Sequence, residues 1–377
     1  MENKTTKRLL ALDVMRGITI AAMILVNNPG SWSDIYAPLR HAEWNGLTPT
    51  DLVFPFFMFI MGVSSYMSLR RYGFRLSWQS AGKVLRRTAV IFAIGLALAW
   101  AGLLAGGMAS GRNLVEAALQ FDDIRILGVL PRLAIAYGMA ALIALACGKR
   151  HLVAVTVGIL IAYTVVLIAG YGYEFSERNV IALVDRTVLG EPHMYTDTVG
   201  GLAMRFDPEG LLSTLPSVAH VLIGFMAGGM IMTEGDNRRR ALGLLIVGTC
   251  LTFSGFLLAY GLPVNKKIWS PTFVLTTCGL ASQLLGLLIW LIDVRGKKGW
   301  CKFFEVFGAN PLALYVFATL LSIIGGCTVQ TGIMEQALIP LCLGCLKPAS
   351  LLYALMFVGV TWLVGFCLYR RHIYIKI

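Results

Sequence analysis

Charged residues are scarce in this sequence: Asp, Glu, Lys and Arg make up 14% of its 377 residues, whereas hydrophobic residues make up 57%. Soluble domains carry about a quarter charged residues. A soluble chain of this size also keeps roughly 30% of its unfolded surface in contact with water. So apolar a chain therefore needs lipid as its solvent. The composition excludes a secreted hydrolase, a Rossmann enzyme and a nucleic-acid-binding domain.

Several familiar motifs are also missing. The sequence contains no H-E-x-x-H motif, no Walker loop and no G-x-S-x-G elbow, so we predict no metal site and no nucleotide-binding loop. No low-complexity linker divides the chain, which predicts one domain over residues 1–377. The first residues lead into an apolar run without an A-x-A-like cleavage site, and we expect no removable signal peptide.

Apolar runs of about 20 residues, the length that crosses a bilayer, fill most of the chain. They predict an all-α polytopic membrane protein, and the 40 glycines suit close helix packing in lipid. We read ten spans, at residues 10–28, 51–70, 84–106, 124–147, 151–170, 213–233, 240–260, 271–293, 304–325 and 350–369.

Lys and Arg predict the orientation. One set of span ends, with its short loops such as 235–240, holds 22 of the 32 basic residues. The positive-inside rule places that set in the cytoplasm, together with both termini. The net charge of +12 thus reflects orientation and not a nucleic-acid partner. The longer loops, which we expect to carry function on the outer face, are 29–50, 107–123, 171–212, 261–270 and 326–348.

Eight cysteines leave this interpretation unchanged. Those in or beside the spans are typical small core residues. Cys327, Cys342 and Cys345 lie in or near the last outer loop, where a disulfide is chemically allowed. Whether one forms stays open at this point.

The segment between the first two spans is the densest in polar side chains. Asn27 and Asp51 lie where the flanking spans end, and polar groups at that depth are costly unless they are hydrogen-bonded. His41 is the only histidine of the segment, with Glu43 and Asp51 available to orient it. A histidine can take and return a proton near neutral pH. A structural histidine bonded to a carbonyl is the alternative from the residues alone.

Two blocks of this region carry a resemblance: RGITIAAMILVNNPGSW, and HAEWNGLTPTDLVFPFFMFIMGVS. They are similar to the signature of the heparan-α-glucosaminide N-acetyltransferase family. The similarity continues in GVLPRLAIAYG, DPEGLLSTLPSVAHVLIG, VNKKIWSPTFVL and FGANPLALYV, and so extends over most of the chain.

The resemblance implies a membrane enzyme that carries acetyl from cytoplasmic acetyl-CoA to a glucosamine amine across the bilayer. It places the catalytic histidine on His41 and the active-site asparagine on Asn27. The sequence departs from the animal enzymes in the longer spacing from Asn27 to His41 and in the absence of a large N-terminal lumenal domain. It resembles a short bacterial member, which implies the bacterial inner membrane and an acceptor that need not be heparan.

With the resemblance, His41 is the expected general base and Asn27 an oxyanion donor, with Asp51 as the third catalytic residue. A transient acetyl-histidine is an alternative to direct transfer. Arg132 lies inside a predicted span, where a cation is costly unless it is paired. We expect an anionic partner, such as a phosphate of the donor, or else a structural salt bridge.

The remaining candidates bind the two substrates. We assign Asn45 and Trp269 to the donor with Arg132, although Trp269 also suits an interfacial anchor. The predicted acceptor-binding residues are Asp207, Glu209, His193 and Lys266. For Asp207, a helix cap before Pro208 is the simpler alternative.

The function predicted from the sequence is therefore acetyl-CoA-dependent acetylation of an amino sugar or related glycan. The expected partners are that donor, a glycan acceptor, membrane lipid and no nucleic acid. A sugar transporter or flippase remains a rival, although such proteins typically show paired repeats, and so does an O-acetyltransferase. Sequence leaves the acceptor, the kinetic order and a homodimer open.

Overall fold

A computed structural model describes residues 9–375 of the chain. Within that range, nine helices are long and apolar enough to cross a membrane, and a tenth span results if one bent helix pair is counted as a unit. The helices are α1 (Leu10–Asn27), α2 (Val53–Leu69), α3 (Trp78–Ala109), α4 (Leu114–Ala118), α5 (Val129–Ala169), α6 (Val180–Leu189), α7 (Leu211–Thr233), α8 (Asn237–Leu258), α9 (Pro271–Leu288), α10 (Cys301–Ala309), α11 (Pro311–Ile333), α12 (Ile339–Leu341) and α13 (Leu346–Arg370). The prediction of an all-α polytopic membrane protein is confirmed.

Helix α5 contains two predicted spans. It runs from Val129 to Ala169 with a break at Gly148, whose φ of 65° is open to glycine. The break divides it into spans Val129–Gly148 and Arg150–Ala169. Sequence predicted a start near residue 124, but Gly128 is extended and the helix begins after it.

Helix α3 begins six residues earlier than predicted, at Trp78 instead of residue 84. Ser77 and Ser80 form a reciprocal capping box there, in which each side chain accepts from the backbone N–H of the other. Such a cap satisfies two backbone donors that the helix itself leaves unpaired, so the helix can extend beyond its apolar segment.

The ninth predicted span, 304–325, is not one straight helix. Helices α10 and α11 meet at Asn310 with a bend of 83°, since Pro311 cannot continue the hydrogen-bond ladder of the preceding helix. The Asn310 side chain instead binds the C-terminal segment: its Nδ2 donates to the Ile373 carbonyl at 2.9 Å, and its Oδ1 accepts from the Ile375 N–H at 2.7 Å. The side-chain amide of Asn310 therefore connects the break between α10 and α11 to residues 373–375.

Glycines bring α2 and α7 into close contact at the centre of the bundle. A Cβ at Gly62 would lie 2.2 Å from the Val221 carbonyl oxygen, and one at Gly224 would lie 2.3 Å from that of Phe59. Larger residues would force the two helices apart, and small residues at such crossings are typical of membrane helix pairs. In helix α3, by contrast, only 6% of the most apolar segment is buried inside the protein, and in α8 the share is 28%. These outer helices have the exposed apolar faces expected of a lipid boundary.

The long loops gather at one end of the bundle. Trp44 donates to the Tyr173 carbonyl at 2.8 Å, Glu43 accepts from the Gly200 N–H at 2.6 Å, and Gln330 donates to the Pro29 carbonyl at 2.8 Å. A small antiparallel hairpin lies there: β1 (Thr196–Val199) pairs with β2 (Leu202–Arg205), Thr196 opposite Arg205. Its turn, Gly200–Gly201, has positive φ at both residues, the usual geometry of a two-residue hairpin.

Candidate active site

Two loops of this end meet in the candidate site. The site loop, residues 41–48, precedes α2, and the 264–270 loop precedes α9. The Gly46 N–H donates to the Val264 carbonyl at 2.8 Å, and Asn265 Nδ2 donates to Asn45 Oδ1 at 3.1 Å. Asn265 is fully buried. These bonds hold together residues more than two hundred positions apart in the chain.

Asp51 organises the site loop. It lies in a 3₁₀ turn, Pro49–Leu52, that begins at Thr48 with a capping box between Thr48 and Asp51. Its Oδ2 accepts from the Thr48 N–H at 3.1 Å, the Thr48 hydroxyl at 2.9 Å and the Ala42 N–H at 3.0 Å. Asp51 is fully buried, and three donors on one oxygen favour its ionised form. Oδ1 is left to face His41.

His41 pairs with this carboxylate. Its Nδ1 lies 2.6 Å from Asp51 Oδ1, while 46% of the imidazole side chain stays exposed. Because an ionised carboxylate can only accept, the proton of the neutral ring lies on Nδ1 and the lone pair on Nε2. No hydrogen bond to Nε2 occurs within residues 9–375. A buried acid thus orients a histidine whose other nitrogen is open to a substrate.

Lys266 completes the group. Its Nζ lies 3.0 Å from His41 Nδ1 and 3.4 Å from Asp51 Oδ1. Burial lowers the pKa of Lys266, although the nearby Asp51 and Glu209 carboxylates act against this. About a fifth of the side chain remains accessible (20%), so Lys266 is largely buried beside the imidazole.

A second charged cluster lies between the loop 110–128 and the start of α7. Arg125 donates to both oxygens of Asp207, at 2.9 and 2.6 Å, and to Glu209 Oε2 at 2.5 Å. Burial opposes its charge, but attraction to Glu209 and Asp207 outweighs burial and raises the pKa of Arg125. Burial likewise opposes the charge of Glu209, and Arg125 and Arg132 outweigh it, so the pKa of Glu209 is lowered.

Sequence reasoning did not include Arg125 among the site residues. The available signal was a basic residue on the side of the membrane where basic residues are few. Asp207 is fully buried and both its oxygens bind Arg125, whereas the Glu209 side chain is 16% accessible. Glu209 also acts electrostatically on Lys266, which connects this cluster to the His41 group.

Arg132 lies beneath the site with neutral partners. It is fully buried in α5, and it donates to the Ser217 hydroxyl at 2.9 Å, to the Pro208 carbonyl at 2.5 Å and to the Ser213 carbonyl. Its guanidinium stacks 4.2 Å from the centroid of the Trp269 ring. The two carbonyls belong to the chain that enters α7 and to its first turn, where Arg132 fastens α7 to α5.

Trp269 lies in the core and not at the bundle surface. It is 1% exposed and packs edge-on against Phe54 and Phe273. Its φ of 51° is costly for a bulky residue, and its backbone N–H donates to the Lys266 carbonyl at 3.0 Å. The indole therefore anchors the turn that carries Lys266.

Within residues 9–375, two other predicted residues make no hydrogen bond to the His41 group. Asn27 is exposed at the last turn of α1, and none of the hydrogen bonds within residues 9–375 joins it to His41. His193 places Nδ1 2.8 Å from the Ile124 carbonyl oxygen and so fixes the segment beside Arg125. The catalytic role of Asn27 and the acceptor-binding role of His193 remain predictions.

The cysteines of the last outer loop are free thiols where described. Cys342 and Cys345 are both unpaired. They form a C-x-x-C motif that the sequence analysis did not identify. The Cys327 side chain lies outside the described part of the structure. No group of three or more His, Cys, Asp or Glu side chains suited to a metal occurs within the part of the chain that is described.

Fold and site together define a polytopic membrane protein with an acid–base group at one end of its helix bundle. The family described as Heparan-alpha-glucosaminide N-acetyltransferase, catalytic, matches residues 8–260, and the chain belongs to this family. It is 28% identical over 366 residues to a heparan-alpha-glucosaminide N-acetyltransferase of Homo sapiens, covering 82% of this chain and 52% of that protein. The enzyme of the same name from Mus musculus is 26% identical over 371 residues, covering 83% of this chain and 53% of that protein. The chain spans about half the length of these curated relatives.

Proposed function

We propose that this protein is a transmembrane acetyltransferase that moves acetyl from cytoplasmic acetyl-CoA to the amine of an amino sugar or related glycan at the opposite face. The observation that carries the proposal is the pairing of His41 with the buried Asp51, with Nε2 left open, in a chain of an N-acetyltransferase family. Membership of this family favours an enzyme over a sugar transporter or flippase.

Acetyl transfer to an amine needs a base because the attacking nitrogen must lose a proton. In the proposed reaction the acceptor nitrogen bonds to the acetyl carbon, and His41 Nε2 takes the proton that the nitrogen releases. The bond from carbon to sulfur then breaks, and the CoA thiolate takes this proton from the His41 imidazolium, which returns to its neutral form. Asp51 stabilises the imidazolium through Nδ1–H. A positioned base contributes about 10²–10⁴-fold to such a rate.

Direct transfer is favoured over an acetyl-histidine carrier. An acetyl group on Nε2 would require that nitrogen as the nucleophile, and a second base would then be needed to deprotonate the acceptor. Lys266 is held beside Nδ1 and Asp51, where it pairs with the carboxylate. With His41 as the base, a single proton acceptor serves the whole step.

The two substrates approach from different sides in this proposal. The His41 group lies among the long loops, and the basic span ends lie opposite, which supports an anionic donor entering from the cytoplasm. Between α1, α2, α5 and α11 the bundle contains a narrow apolar crevice, lined by residues that include Met23, Phe54, Leu133 and Tyr315. Because the crevice is narrow, we propose that these helices separate when the pantetheine arm enters.

Glu209 is our candidate for contact with the acceptor. Asp207 has both oxygens bound to Arg125, while Glu209 keeps part of its side chain accessible. A carboxylate in that place suits the hydroxyls or the ammonium of an amino sugar. His193 lies on the acceptor side of the site in this proposal.

The test is acetyl transfer by the purified protein in detergent. Acetyl-CoA is supplied with glucosamine, with other amino sugars and with sugars that offer only hydroxyls, and the acetylated product is identified by mass spectrometry. We expect product with an amino sugar and loss of that product in His41→Ala. Transfer to the hydroxyl sugars alone would replace the proposal with O-acetylation, and release of CoA by His41→Ala at the wild-type rate would refute it.

A further inference from the structure

His41 Nδ1 has two close neighbours but can serve only one of them at a time. Asp51 Oδ1 lies 2.6 Å away and requires a proton on Nδ1, whereas an ammonium at 3.0 Å would require a lone pair on the same nitrogen. The conflict is resolved if Nδ1–H donates to Asp51 and the Lys266 ammonium also donates to Asp51 Oδ1, 3.4 Å from Nζ. Lys266 and His41 then share one carboxylate oxygen.

The backbone around Lys266 is held firmly. The Asn265 N–H donates to the Ser270 hydroxyl at 3.0 Å, the Ser270 N–H returns to the Asn265 carbonyl at 3.0 Å, and Asn265 Oδ1 accepts from the Ile268 N–H at 3.1 Å. Tyr163 donates to the Ile268 carbonyl at 2.6 Å. Because these hydrogen bonds hold the backbone of the loop in place, they also hold the position from which the Lys266 side chain extends towards His41.

We infer that Lys266 is a positioning residue for His41, which deepens the proposed function and rests on it. Its ammonium shares Asp51 Oδ1 with His41 and keeps that carboxylate in place as the acceptor for Nδ1–H. The proton of the neutral imidazole then lies on Nδ1, and Nε2 carries the lone pair. The charged groups around Lys266 are Asp51, Glu209 and Arg132, and Arg125 reaches it through Glu209.

The chain supplies a matched control next to Lys266. Lys267 Nζ pairs with Asp197 of the hairpin at 2.6 Å, and its side chain is 16% accessible. Lys267→Met removes a cation of the same kind at the neighbouring position but leaves the His41 group intact. A general change in site charge would affect both variants, whereas a specific action on His41 would affect only Lys266→Met.

The experiment compares wild type, Lys266→Met, Lys266→Arg and Lys267→Met for acetyl transfer to glucosamine over a pH series. Two charges so close in water-like surroundings change a proton equilibrium about tenfold. In Lys266→Met we therefore expect the acid limb of kcat/KM to move up by about one pH unit, with the glucosamine KM within about twofold. Lys266→Arg and Lys267→Met should keep the wild-type limb.

Three outcomes would overturn the inference. A raised glucosamine KM with an unmoved acid limb would make Lys266 a substrate-binding residue, and an equal movement in Lys267→Met would make the effect one of general charge. Thermal unfolding in detergent confirms that each variant is folded, and Lys266→Gln replaces Lys266→Met if the latter is not. If His41→Ala is inactive while Lys266→Met matches wild type at every pH, this inference fails and the proposed function stands. An active His41→Ala removes the proposed function itself.

Discussion

His41 Nδ1 and Asp51 Oδ1 lie 2.6 Å apart although ten positions separate the two residues. The chain between them turns back through Thr48, whose N–H and hydroxyl both bind the second oxygen of Asp51. The carboxylate therefore holds the loop and the imidazole together. The predictions below test this arrangement and its surroundings.

Replacement of His41 by alanine should lower kcat for acetyl transfer by at least about 10²-fold, the minimum expected of a general base. The imidazole is nearly half exposed, so the variant should unfold at the wild-type temperature. Acetyl-CoA turnover and a thermal melt of the same preparation measure the two quantities. His151→Ala, which removes an exposed histidine of α5, is the control, and a variant of His41 that retains more than about a tenth of kcat argues against the base.

Asp51→Asn should be nearly as inactive and less stable. The amide can no longer stabilise an imidazolium, and an equivalent substitution in catalytic triads costs about 10⁴-fold. The NH₂ group of the asparagine cannot accept hydrogen bonds from the Ala42 and Thr48 N–H groups, which both donate to Asp51 Oδ2 in the wild type. Kinetics and melting temperature report the two losses. Asp34→Asn, in the same segment and bonded to Ser31 and Ser33, should leave kcat unchanged; an unchanged kcat in Asp51→Asn would separate the pair from catalysis.

Arg132→Lys should destabilise the protein and leave acetyl-CoA affinity within about threefold. Lysine keeps the positive charge but cannot serve Ser217, Pro208 and Ser213 at once, and hydrogen bonds from charged groups contribute about 1.5–3 kcal/mol each. Unfolding in detergent and acetyl-CoA binding to the same sample are the measurements. Weakened donor binding with normal stability would instead support the sequence-based hypothesis that Arg132 holds an anionic group of the donor.

Asp185 should make stability depend on pH. It is fully buried, and burial raises its pKa from 3.8 to about 7. Between those pH values the folded state binds more protons than the unfolded state, so stability falls as pH rises from about 4 to about 7 and this contribution is constant above that. The slope is at most about 1.4 kcal/mol per pH unit.

The measurement for Asp185 is a series of melts from acidic to mildly alkaline pH. Asp185→Asn keeps an acceptor for the Leu211 N–H, which binds Oδ1 at 2.8 Å, and removes the titrating group. Its melting temperature should exceed that of wild type at alkaline pH and depend less on pH. Parallel curves for the two proteins would show that Asp185 does not titrate in this range.

The proposed orientation can be tested by cysteine labelling in intact cells. A cysteine replacing the exposed Ser33 should react with an impermeant reagent, and one replacing the exposed Arg239 should not. Exposed native cysteines, such as Cys345, must first be replaced by serine. The reverse labelling pattern would invert the topology and place the His41 group in the cytoplasm.

The sequence was sufficient for the helical spans and for the family. Each span can be predicted from its own run of apolar residues, because a run of about 20 such residues is long enough to cross the bilayer. His41, Asp51 and Lys266 could be selected because polar side chains are rare in such a chain and expensive at membrane depth. Broken helices were harder to predict: the bend at Asn310 depends on contacts with residues 373–375 as well as on Pro311.

Only the tertiary structure decided which of these side chains meet. Lys266 lies 225 positions from His41. Its distance from Nδ1 depends on how the 264–270 loop packs, through Asn265 on Asn45 and through Trp269 on Phe54. The same holds for Arg125, which reaches Asp207 and Glu209 across more than eighty positions. It holds also for Arg132, whose partners are backbone carbonyls that no residue pattern identifies. Local composition determines where a segment lies relative to lipid, but the partners of a buried charge are determined by the packing of distant segments, because a hydrogen bond requires atoms within about 3 Å of each other.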